Sequence, residues 1–371
     1  MNEFLKKIKS LPPEKQAELL AKLTKSKNKT VKKEVDLSKN FEYTFNSETP
    51  FDFSLRQTEV SDPGADYVQI RAKASSLNFR DVMIASKQYP SSPGVPTNMG
   101  SDYAGIVEKV GENVTNLKPG DEVISIHIGH TEKDETLRDN CHFIKTFNVY
   151  KECVCLKPKN LSFVEASCIP TVFLTAYIGL IKLGRLNISE NVLIHTASGG
   201  VGLSAVQIAL WKKATIFATA GTEEKREHLK TYGIEHIYDS RSTDFAKTLT
   251  SQHKEMDIVL NTLAGASMFE SIKLLNPFGR FIHIDKKDIA KDTTFGMKLF
   301  SNGIVFQFLD ISLLFLNPTL MNSSLQEIVE LFEKEAFKPI FHTVYPVKDL
   351  KKAITAMSRG THIGKLVVKY D

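Results

Sequence analysis

The stretch Asn191–Trp211, NVLIHTASGGVGLSAVQIALW, decides the fold of this chain. An apolar run leads into a glycine-rich turn, and the segment after the turn spaces its apolar residues as an amphipathic helix does. Strand, turn and helix in that order predict the opening of a dinucleotide-binding βαβ unit. The alternative is an ordinary turn between a strand and a helix.

The turn itself, Ala197–Gly202 (ASGGVG), is a variant of G-x-G-x-x-G with alanine in the first place. Such glycines permit a tight turn, let the backbone approach a pyrophosphate, and allow close packing of helix and strand. The helix N-terminus offers unpaired N–H groups and the positive end of its dipole to phosphates. We therefore predict cofactor contacts from Ala197, Gly199, Gly200, Val201 and Gly202.

The next segment indicates which dinucleotide would bind. Thr215–Ala220 (TIFATA) predicts the second strand, and Gly221 and Thr222 stand where an NAD-preferring site would place an acid on the ribose. Lys225 and Arg226 follow closely. The missing acid and the added cations suit a 2′-phosphate, so NADPH is favoured over NADH and these residues, with Thr222, are predicted to bind it. Alternatively, the two cations are solvated helix charges.

Strands and helices continue to alternate after this unit, which predicts a parallel sheet covered on both faces. The predicted elements are helix Glu223–Tyr232, strand Glu235–Tyr238, strand Asp257–Asn261, helix Ser267–Leu275 and strand Arg280–Ile284. Asn261 ends its strand, and ligands bind at this end of strands in open α/β sheets. We therefore predict that Asn261 contacts the cofactor.

Length and composition set the broad class. A chain of 371 residues is long enough for two domains, and 42% hydrophobic and 25% charged residues are ordinary globular values. The net charge of +5 comes largely from a lysine-rich start, so nucleic-acid binding has no compositional support. Four cysteines form no disulfide framework in so long a chain. Without a signal peptide or an apolar run of about 20 residues, we expect a soluble cytoplasmic protein that does not bind membranes.

The two ends of the chain differ in character from the centre. Met1–Ser26 predicts two short amphipathic helices separated by Pro12 and Pro13, and Thr24–Lys33 predicts a flexible linker. Residues 1–36 are therefore a helical linker or docking segment, or alternatively a capping element. β-rich segments then run to about Asn160, and the last sixty residues predict a tail that returns to complete this first domain.

The motifs together resemble the medium-chain dehydrogenase/reductase superfamily and, within it, the enoylreductase domains of modular polyketide synthases. Besides Ala197–Gly202, the matching segments occur in the family's order from about Phe41 to Lys369. They are Leu77–Val82, Tyr89-Pro90, Met99–Gly105, Val110–Asp121, Val172–Tyr177, Asp239–Phe245, Val259–Gly265, Asn276–Phe281, Asp285–Ile289, Phe306–Asp310 and Gly364–Val367.

The resemblance implies an α/β fold, in which a GroES-like, β-rich substrate domain is interrupted by a doubly wound Rossmann cofactor domain. The implied boundaries are 37–165 for the substrate domain, 166–311 for the NADPH-binding domain and 312–371 for the C-terminal return. Zinc-dependent members of the superfamily carry Cys within the segment matching Leu77–Asp81 and Gly-His-Glu in the one matching Met99–Asp102. This chain has neither, and its cysteines lack the close spacing of a structural zinc lobe, so no metal is predicted.

The activity that the resemblance implies is NADPH-dependent reduction of an α,β-unsaturated thioester carried on an acyl carrier protein. Hydride reaches the β-carbon, negative charge develops on the thioester oxygen, and a positioned acid delivers a proton to the α-carbon. Tyr89 and Lys286 match the family's candidate acids, and Asp310 matches an aspartate that orients the lysine. Asn78 and Thr175 match positions beside the nicotinamide, and Arg241 matches one near the adenosine phosphate.

Two departures from the family pattern affect the predicted site. Asp285 replaces a usual glycine, where it would tether Lys286 or alter its pKa. His127–Asn148 replaces a segment of small residues and is expected to border the substrate entrance.

Alternative functions remain open at this point. One is a quinone oxidoreductase-like enzyme acting on small enones, although the pairing of Lys286 with Asp310 argues against that branch. A second is the variant found in cyanobacterial pathways, which uses the same hydride to close a cyclopropane. A third is an inactive NADPH-binding scaffold, which would be expected to lack both Tyr89 and Lys286. If the enzyme acts in or with a polyketide synthase, residues 1–36 are expected to contact neighbouring synthase domains.

Overall fold

The computed structural model describes residues 35–46, 49–89, 98–127 and 143–370. One compact unit comprises the described residues from Asn40 onwards. The predicted N-terminal helices and the linker after them lie outside the described residues, as does most of His127–Asn148.

The described strands fall into three sheets. They are β1 (Phe41–Phe45), β2 (Phe53–Gln57), β3 (Tyr67–Ser76), β4 (Asp102–Val110), β5 (Glu122–Ile126), β6 (Thr146–Tyr150), β7 (Val154–Leu156), β8 (Asn191–Ile194), β9 (Thr215–Ala220), β10 (His236–Asp239), β11 (Met256–Asn261), β12 (Leu275–His283), β13 (Val305–Phe308), β14 (His342–Pro346) and β15 (Lys365–Lys369).

The helices lie between these strands. The α-helices are α1 (Phe79–Ala85), α2 (Phe163–Ser167), α3 (Pro170–Tyr177), α4 (Gly200–Trp211), α5 (Glu223–Lys230), α6 (Asp244–Ser251), α7 (Ala266–Ile272), α8 (Lys287–Ala290), α9 (Pro318–Glu333) and α10 (Leu350–Ser358). A π-helical stretch, Ile178–Leu183, continues α3, and short 3₁₀ helices occur at Lys151–Cys153, Met297–Phe300, Ile311–Leu316 and Val347–Asp349.

The central sheet is parallel, with six strands in the order β10-β9-β8-β11-β12-β13. Leu193 lies at its centre, in register with Phe217 on one side and Val259 on the other. These three side chains are buried in the core beneath the flanking helices, since both faces of a parallel sheet are covered. Numbered from β8, the order is 3-2-1-4-5-6, as in doubly wound dinucleotide-binding domains, so the predicted fold class is confirmed.

The second large sheet is mostly antiparallel, with the order β14-β15-β3-β4-β5-β7, and β6 also pairs with β3. Strand β15 pairs antiparallel with β3, with Val367 opposite Ser76. The last strands of the chain thus complete a sheet begun about 290 residues earlier. Buried aromatic side chains fill this region, and Tyr103 and Phe147 have ring centroids 4.5 Å apart.

The topology locates a cleft at the carboxyl ends of the parallel strands. The chain leaves β8 towards β9 on one side and leaves β11 towards β12 on the other, which makes the space between β8 and β11 a topological switch point. The hydroxyls of Thr196 and Thr262 join the loops after these two strands at 2.8 Å. The Gly364 N–H donates to the Ser198 carbonyl at 2.8 Å, so the segment before β15 lies against the glycine-rich turn.

Two further findings concern the described residues as a whole. None of their helices combines the length and the apolar character needed to cross a membrane. Cys153, Cys155 and Cys168 are buried free thiols. Burial raises the pKa of Cys155 to about 12, so this thiol stays protonated and unreactive at neutral pH.

Candidate active site

The glycine-rich turn has the shape that a bound pyrophosphate requires. Gly199 is the N-cap of α4, and a Cβ added there would meet only the Thr196 carbonyl, at 3.4 Å. At Gly202 the added Cβ would lie 2.5 Å from the Ala197 Cα, because α4 packs tightly against the end of β8. Gly199 therefore leaves space in front of the helix, and Gly202 permits the close packing behind it. Val201 lies in the first turn of α4.

A positive pocket lies at the end of β9. A Cβ added at Gly221 would lie 3.3 Å from the Arg241 Nε, which places this guanidinium over the end of the strand. Burial and the positive charge of Arg241 lower the pKa of Lys225, whose ammonium donates to the Gly360 carbonyl at 2.6 Å. Thr222 caps α5 by accepting from the Lys225 N–H at 3.3 Å. Two adjacent cations favour an anion at this position.

Arg226, which the sequence groups with Lys225, is engaged differently. Its guanidinium donates to the Ala220 carbonyl at 3.2 Å and to Glu223 at 2.7 Å. A third partner, Asp239, lies 3.4 Å away. This cation therefore has two carboxylates and a backbone carbonyl as partners.

Three side chains that are distant in sequence form a connected chain across the cleft. The Lys286 Nζ, just after β12, donates to the Tyr89 hydroxyl at 2.9 Å and lies 2.5 Å from the Asp310 Oδ2. Asp310 is itself fixed by Ser312, whose N–H and hydroxyl donate to its other oxygen at 3.0 and 2.7 Å. Burial alone would raise the pKa of Asp310, but the hydrogen bond and charge of Lys286 outweigh it and hold that pKa below its usual value.

Asp285 does not have the role expected from the sequence. Its carboxylate accepts from the Lys287 N–H at 2.5 Å, at the start of α8. The carboxylate paired with Lys286 is Asp310. An aspartate two residues before a backbone N–H forms such a local bond readily, and this accounts for the difference.

Asn78 belongs to a buried polar network between the two sheets. Its side-chain N–H groups donate to the Ser101 hydroxyl and the Asp102 carboxylate, both at 2.9 Å. Its carbonyl oxygen accepts from the Lys365 Nζ at 2.7 Å, and that ammonium is also 3.2 Å from Asp102. The Lys365 stem passes against the glycine-rich turn, since a Cβ at Gly200 would lie 2.9 Å from the Lys365 Cδ.

Sequence reasoning did not single out Lys365. It lies in a segment quoted for the family resemblance, but a lysine flanking an apolar strand is indistinguishable in sequence from an exposed strand-end charge. Lys365 is nevertheless 2% exposed and Asp102 is fully buried. Burial of this kind depends on the return of the chain and leaves no local sequence signal.

The remaining predicted residues, Thr175 and Asn261, are buried and have local hydrogen-bond partners. Thr175, on α3, is 4% exposed, and its hydroxyl donates to the Thr171 carbonyl at 2.6 Å. The Asn261 amide donates to the Leu263 carbonyl at 2.7 Å and contacts the buried His283 ring nitrogen at 2.8 Å. The Asn261 side chain therefore shapes the loop that follows β11.

Potential metal ligands do not gather in the described part of the chain, where no three His, Cys, Asp or Glu side chains meet in a suitable arrangement. The segments that match the zinc ligands of related enzymes instead contribute Asn78, Ser101 and Asp102 to the hydrogen-bonded network around Lys365.

Comparison with known protein families agrees with this architecture. Residues 64–165 match the family model described as the alcohol dehydrogenase GroES-like domain, and residues 232–368 match the one described as zinc-binding dehydrogenase.

Curated relatives match most of the chain but are far longer. Squalestatin tetraketide synthase of Phoma sp. (strain C2932) is 38% identical over 312 residues, which are 82% of this chain and 11% of that protein. Phthioceranic/hydroxyphthioceranic acid synthase of Mycobacterium tuberculosis (strain ATCC 25618 / H37Rv) is 36% identical over 313 residues, 82% of this chain and 14% of that protein. The chain thus spans between a tenth and a seventh of the length of these relatives.

Solved structures match over nearly their full length. The crystal structure of CurK enoyl reductase is 30% identical, with a TM-score of 0.77 over 89% of this chain and 99% of that one. The CurF ER cyclopropanase from the curacin A biosynthetic pathway is 28% identical, with a TM-score of 0.79 and the same coverage. The chain therefore belongs to the medium-chain dehydrogenase/reductase superfamily and, within it, to the enoyl-reductase family of polyketide synthases.

Proposed function

We propose that this protein is an NADPH-dependent enoyl reductase that acts on an α,β-unsaturated thioester carried by an acyl carrier protein. The observation that carries the proposal is the Tyr89–Lys286–Asp310 chain, with contacts of 2.9 and 2.5 Å. It places two groups able to donate a proton beside one another. An oriented acid of this kind is what protonation of an α-carbon requires.

The residues present fit a dinucleotide that carries an extra phosphate. The space in front of Gly199, at the N-terminus of α4, would hold the pyrophosphate. Lys225 and Arg241, at the end of β9, would hold the 2′-phosphate. Arg226 is paired with Glu223 and is therefore a weaker candidate than the sequence indicates. Asn261 would act by shaping the loop after β11.

Bound NADPH would supply a hydride for the β-carbon of the thioester. The Tyr89 hydroxyl would then give its proton to the α-carbon, and the Lys286 ammonium, 2.9 Å away, would give a proton to the phenolate oxygen. Water would restore the proton of Lys286. Asp310 directs the lysine at the phenol, because its carboxylate lies 2.5 Å from the Lys286 ammonium and fixes its position.

The domain division is part of the proposal. Residues 37–165 together with 312–371 would hold the acyl chain, and residues 166–311 would hold the dinucleotide. Residues 1–36, most of which lie outside the described residues, would contact neighbouring synthase domains. The lengths of the curated relatives, of which this chain spans 11–14%, support such neighbours.

The test is consumption of NADPH with a crotonyl thioester of pantetheine, measured beside a quinone and without an acceptor. We expect turnover with the thioester, and a loss of roughly 10²–10⁴-fold in Lys286→Met, the range for removing a general acid. Lys287→Met is the matched control, because that neighbouring side chain is exposed. Oxidation with the quinone alone would contradict the proposal, as would equal loss in both variants.

Cyclopropane formation is a second candidate, because the CurF ER cyclopropanase is 28% identical to this chain and has the same fold. Incubation with a halogenated enoyl thioester distinguishes the two. Halide release with a product that has gained a cyclopropane ring, as the α-carbon displaces the halide, would indicate the cyclopropanase, whereas a saturated product that retains its halogen would indicate simple reduction.

A further inference from the structure

Two cations lie near the Tyr89 ring, and only one of them belongs to the Tyr89–Lys286–Asp310 chain. The Lys286 Nζ lies 5.0 Å from the ring centroid and hydrogen-bonds to the hydroxyl at 2.9 Å. The Arg80 guanidinium carbon lies 5.2 Å from the same centroid. Both distances are within the range of cation–π contacts. Arg80 comes from α1 in the substrate-side sheet region, whereas Lys286 follows β12 of the parallel sheet.

Arg80 is held in this position by the backbone. Its Nη1 donates to the Asn98 carbonyl at 2.8 Å, and Asn98 is 3% exposed. The Arg80 Nε is buried and has no hydrogen-bond partner among the described residues. A guanidinium that is fixed at one nitrogen and unsatisfied at another is able to stabilise negative charge that forms beside it.

The nearby carboxylates are engaged elsewhere. Asp310 pairs with Lys286 at 2.5 Å. Asp81, next to Arg80 in α1, accepts from the Asn78 N–H at 2.8 Å and from the Gly100 N–H at 2.9 Å. Among the described groups, the charges that lower the pKa of the phenol are those of Arg80 and Lys286.

The net effect on the phenol follows from these contacts. Burial alone would raise the pKa of Tyr89, because a phenolate is poorly solvated there. The hydrogen bond of Lys286, the charges of Arg80 and Lys286, and a smaller hydrogen-bonding contribution of Arg80 together outweigh burial, so the pKa lies below its usual value. Arg80 contributes although it contacts neither Lys286 nor Asp310 in the hydrogen bonds described above.

We propose that Arg80 is a positioning residue for Tyr89: it holds the ring from the α1 side and, with Lys286, stabilises the phenolate formed when Tyr89 gives up its proton. In that step the O–H bond of Tyr89 breaks and a C–H bond forms at the substrate α-carbon. The two cations stabilise the phenolate charge until Lys286 returns a proton to the oxygen. The catalytic part rests on the proposed function, whereas the coupling of Arg80 to Tyr89 does not.

The coupling is measured on the free protein by NMR titration of ring-labelled tyrosine, with the Tyr89 resonance assigned from Tyr89→Phe. In Arg80→Gln and Arg80→Met we expect the pKa of Tyr89 to rise by about one unit, the scale of a single nearby charge. Arg71→Gln is the control, since that arginine pairs with Glu108 on the sheet. Two neutral replacements of different polarity, each checked by thermal melting, guard against a variant that does not fold. An unchanged Tyr89 pKa in the folded variants would overturn the proposal.

The pH dependence of kcat tests the catalytic part. Because protonated Tyr89 is the acid, activity falls as pH rises through its pKa, and the alkaline limb should move to higher pH in Arg80→Gln. Arg80→Lys keeps the charge and should retain the alkaline limb near its original position. A lower kcat with no movement of the limb would mean that Arg80 is merely structural. If the NMR shift occurs but no enoyl thioester is reduced, the proposed function fails while the coupling stands.

Discussion

At the level of single residues, the partners of a cation determine what it is free to bind. Lys225 and Arg226 are adjacent and equally plausible in sequence as phosphate ligands. Arg226 is paired with Glu223, while Lys225 lies beside Arg241, another cation. An anion that binds between two cations relieves their repulsion and is strongly stabilised. An anion that binds a cation already paired with a carboxylate is stabilised little.

This difference predicts how the variants discriminate between dinucleotides. Arg241→Gln should weaken NADPH binding by about 10–100-fold, the cost of losing a hydrogen bond to a charged group, and leave NADH binding unchanged. Arg226→Gln is the matched control and should change NADPH affinity only slightly. Titration of the free protein with both dinucleotides, followed by fluorescence, measures this. Equal weakening of NADPH and NADH by Arg241→Gln would place the guanidinium away from the 2′-phosphate.

The residue scale is also where sequence reasoning is least complete. A strand pattern is enough to place Asn261 at the end of β11, but its bond to the Leu263 carbonyl depends on the path of the following loop. The partner of Lys286 was predicted as Asp310 from the family resemblance, and the contact of 2.5 Å agrees with that pairing. Arg80 was not singled out, because nothing in α1 alone indicates that Tyr89 lies above it.

At the level of elements, two glycines of one turn have different physical functions. Gly202 lies where α4 presses on the end of β8, so a Cβ there overlaps backbone atoms at 2.5 Å. Gly199 faces open space, and its added Cβ has an ordinary contact of 3.4 Å. Gly202 is therefore required by the packing of the protein itself, and Gly199 by the group that binds in front of the helix.

The two alanine variants should therefore separate stability from binding. Gly202→Ala should lower the free energy of unfolding by about 1–3 kcal/mol, as overpacking does, in urea denaturation without ligand. Gly199→Ala should unfold like the wild type yet bind NADPH at least tenfold more weakly. If Gly199→Ala bound NADPH normally, the pyrophosphate would not lie at this turn.

Elements with a clear apolar pattern were predicted well. Thr215–Ala220 and Lys365–Lys369 are strands with the predicted bounds. Strand β12 begins at Leu275, five residues before the predicted start. The prediction began later because Asn276–Gly279 (NPFG) has the composition of a turn. Leu275 pairs with Met256, and the register then shifts before Arg280 pairs with Ile258, so the residues between them form a bulge in which Phe278 has a φ of 64°.

At the level of the whole molecule, the return of the chain links the glycine-rich turn to the substrate-side sheet. Strand β15 brings Lys365 to Asn78, 287 residues away in sequence, and to the buried Asp102. The stem of the same lysine lies against the place where Gly200 would carry a Cβ. One buried lysine thus contacts the substrate region through its ammonium and the cofactor region through its stem. The overall topology was predictable from the order of motifs, whereas this buried contact was not.

Removing that ammonium should destabilise the fold strongly, because the buried Asp102 carboxylate would lose its cationic partner. Lys365→Met should lower the free energy of unfolding by about 3–5 kcal/mol, the range for breaking a buried ion pair. Lys369→Met, on the same strand but exposed, should have little effect.

The double variant Lys365→Met/Asp102→Asn should recover part of the lost stability, since an amide at position 102 needs no counter-charge. The remaining donors, including the Thr171 hydroxyl at 2.5 Å, still have an oxygen to bind. Urea denaturation of the wild type, Lys365→Met, Asp102→Asn and the double variant measures the coupling. If the double variant were as unstable as the sum of its single variants, Lys365 would stabilise the fold by packing against the turn, and its charge would be incidental.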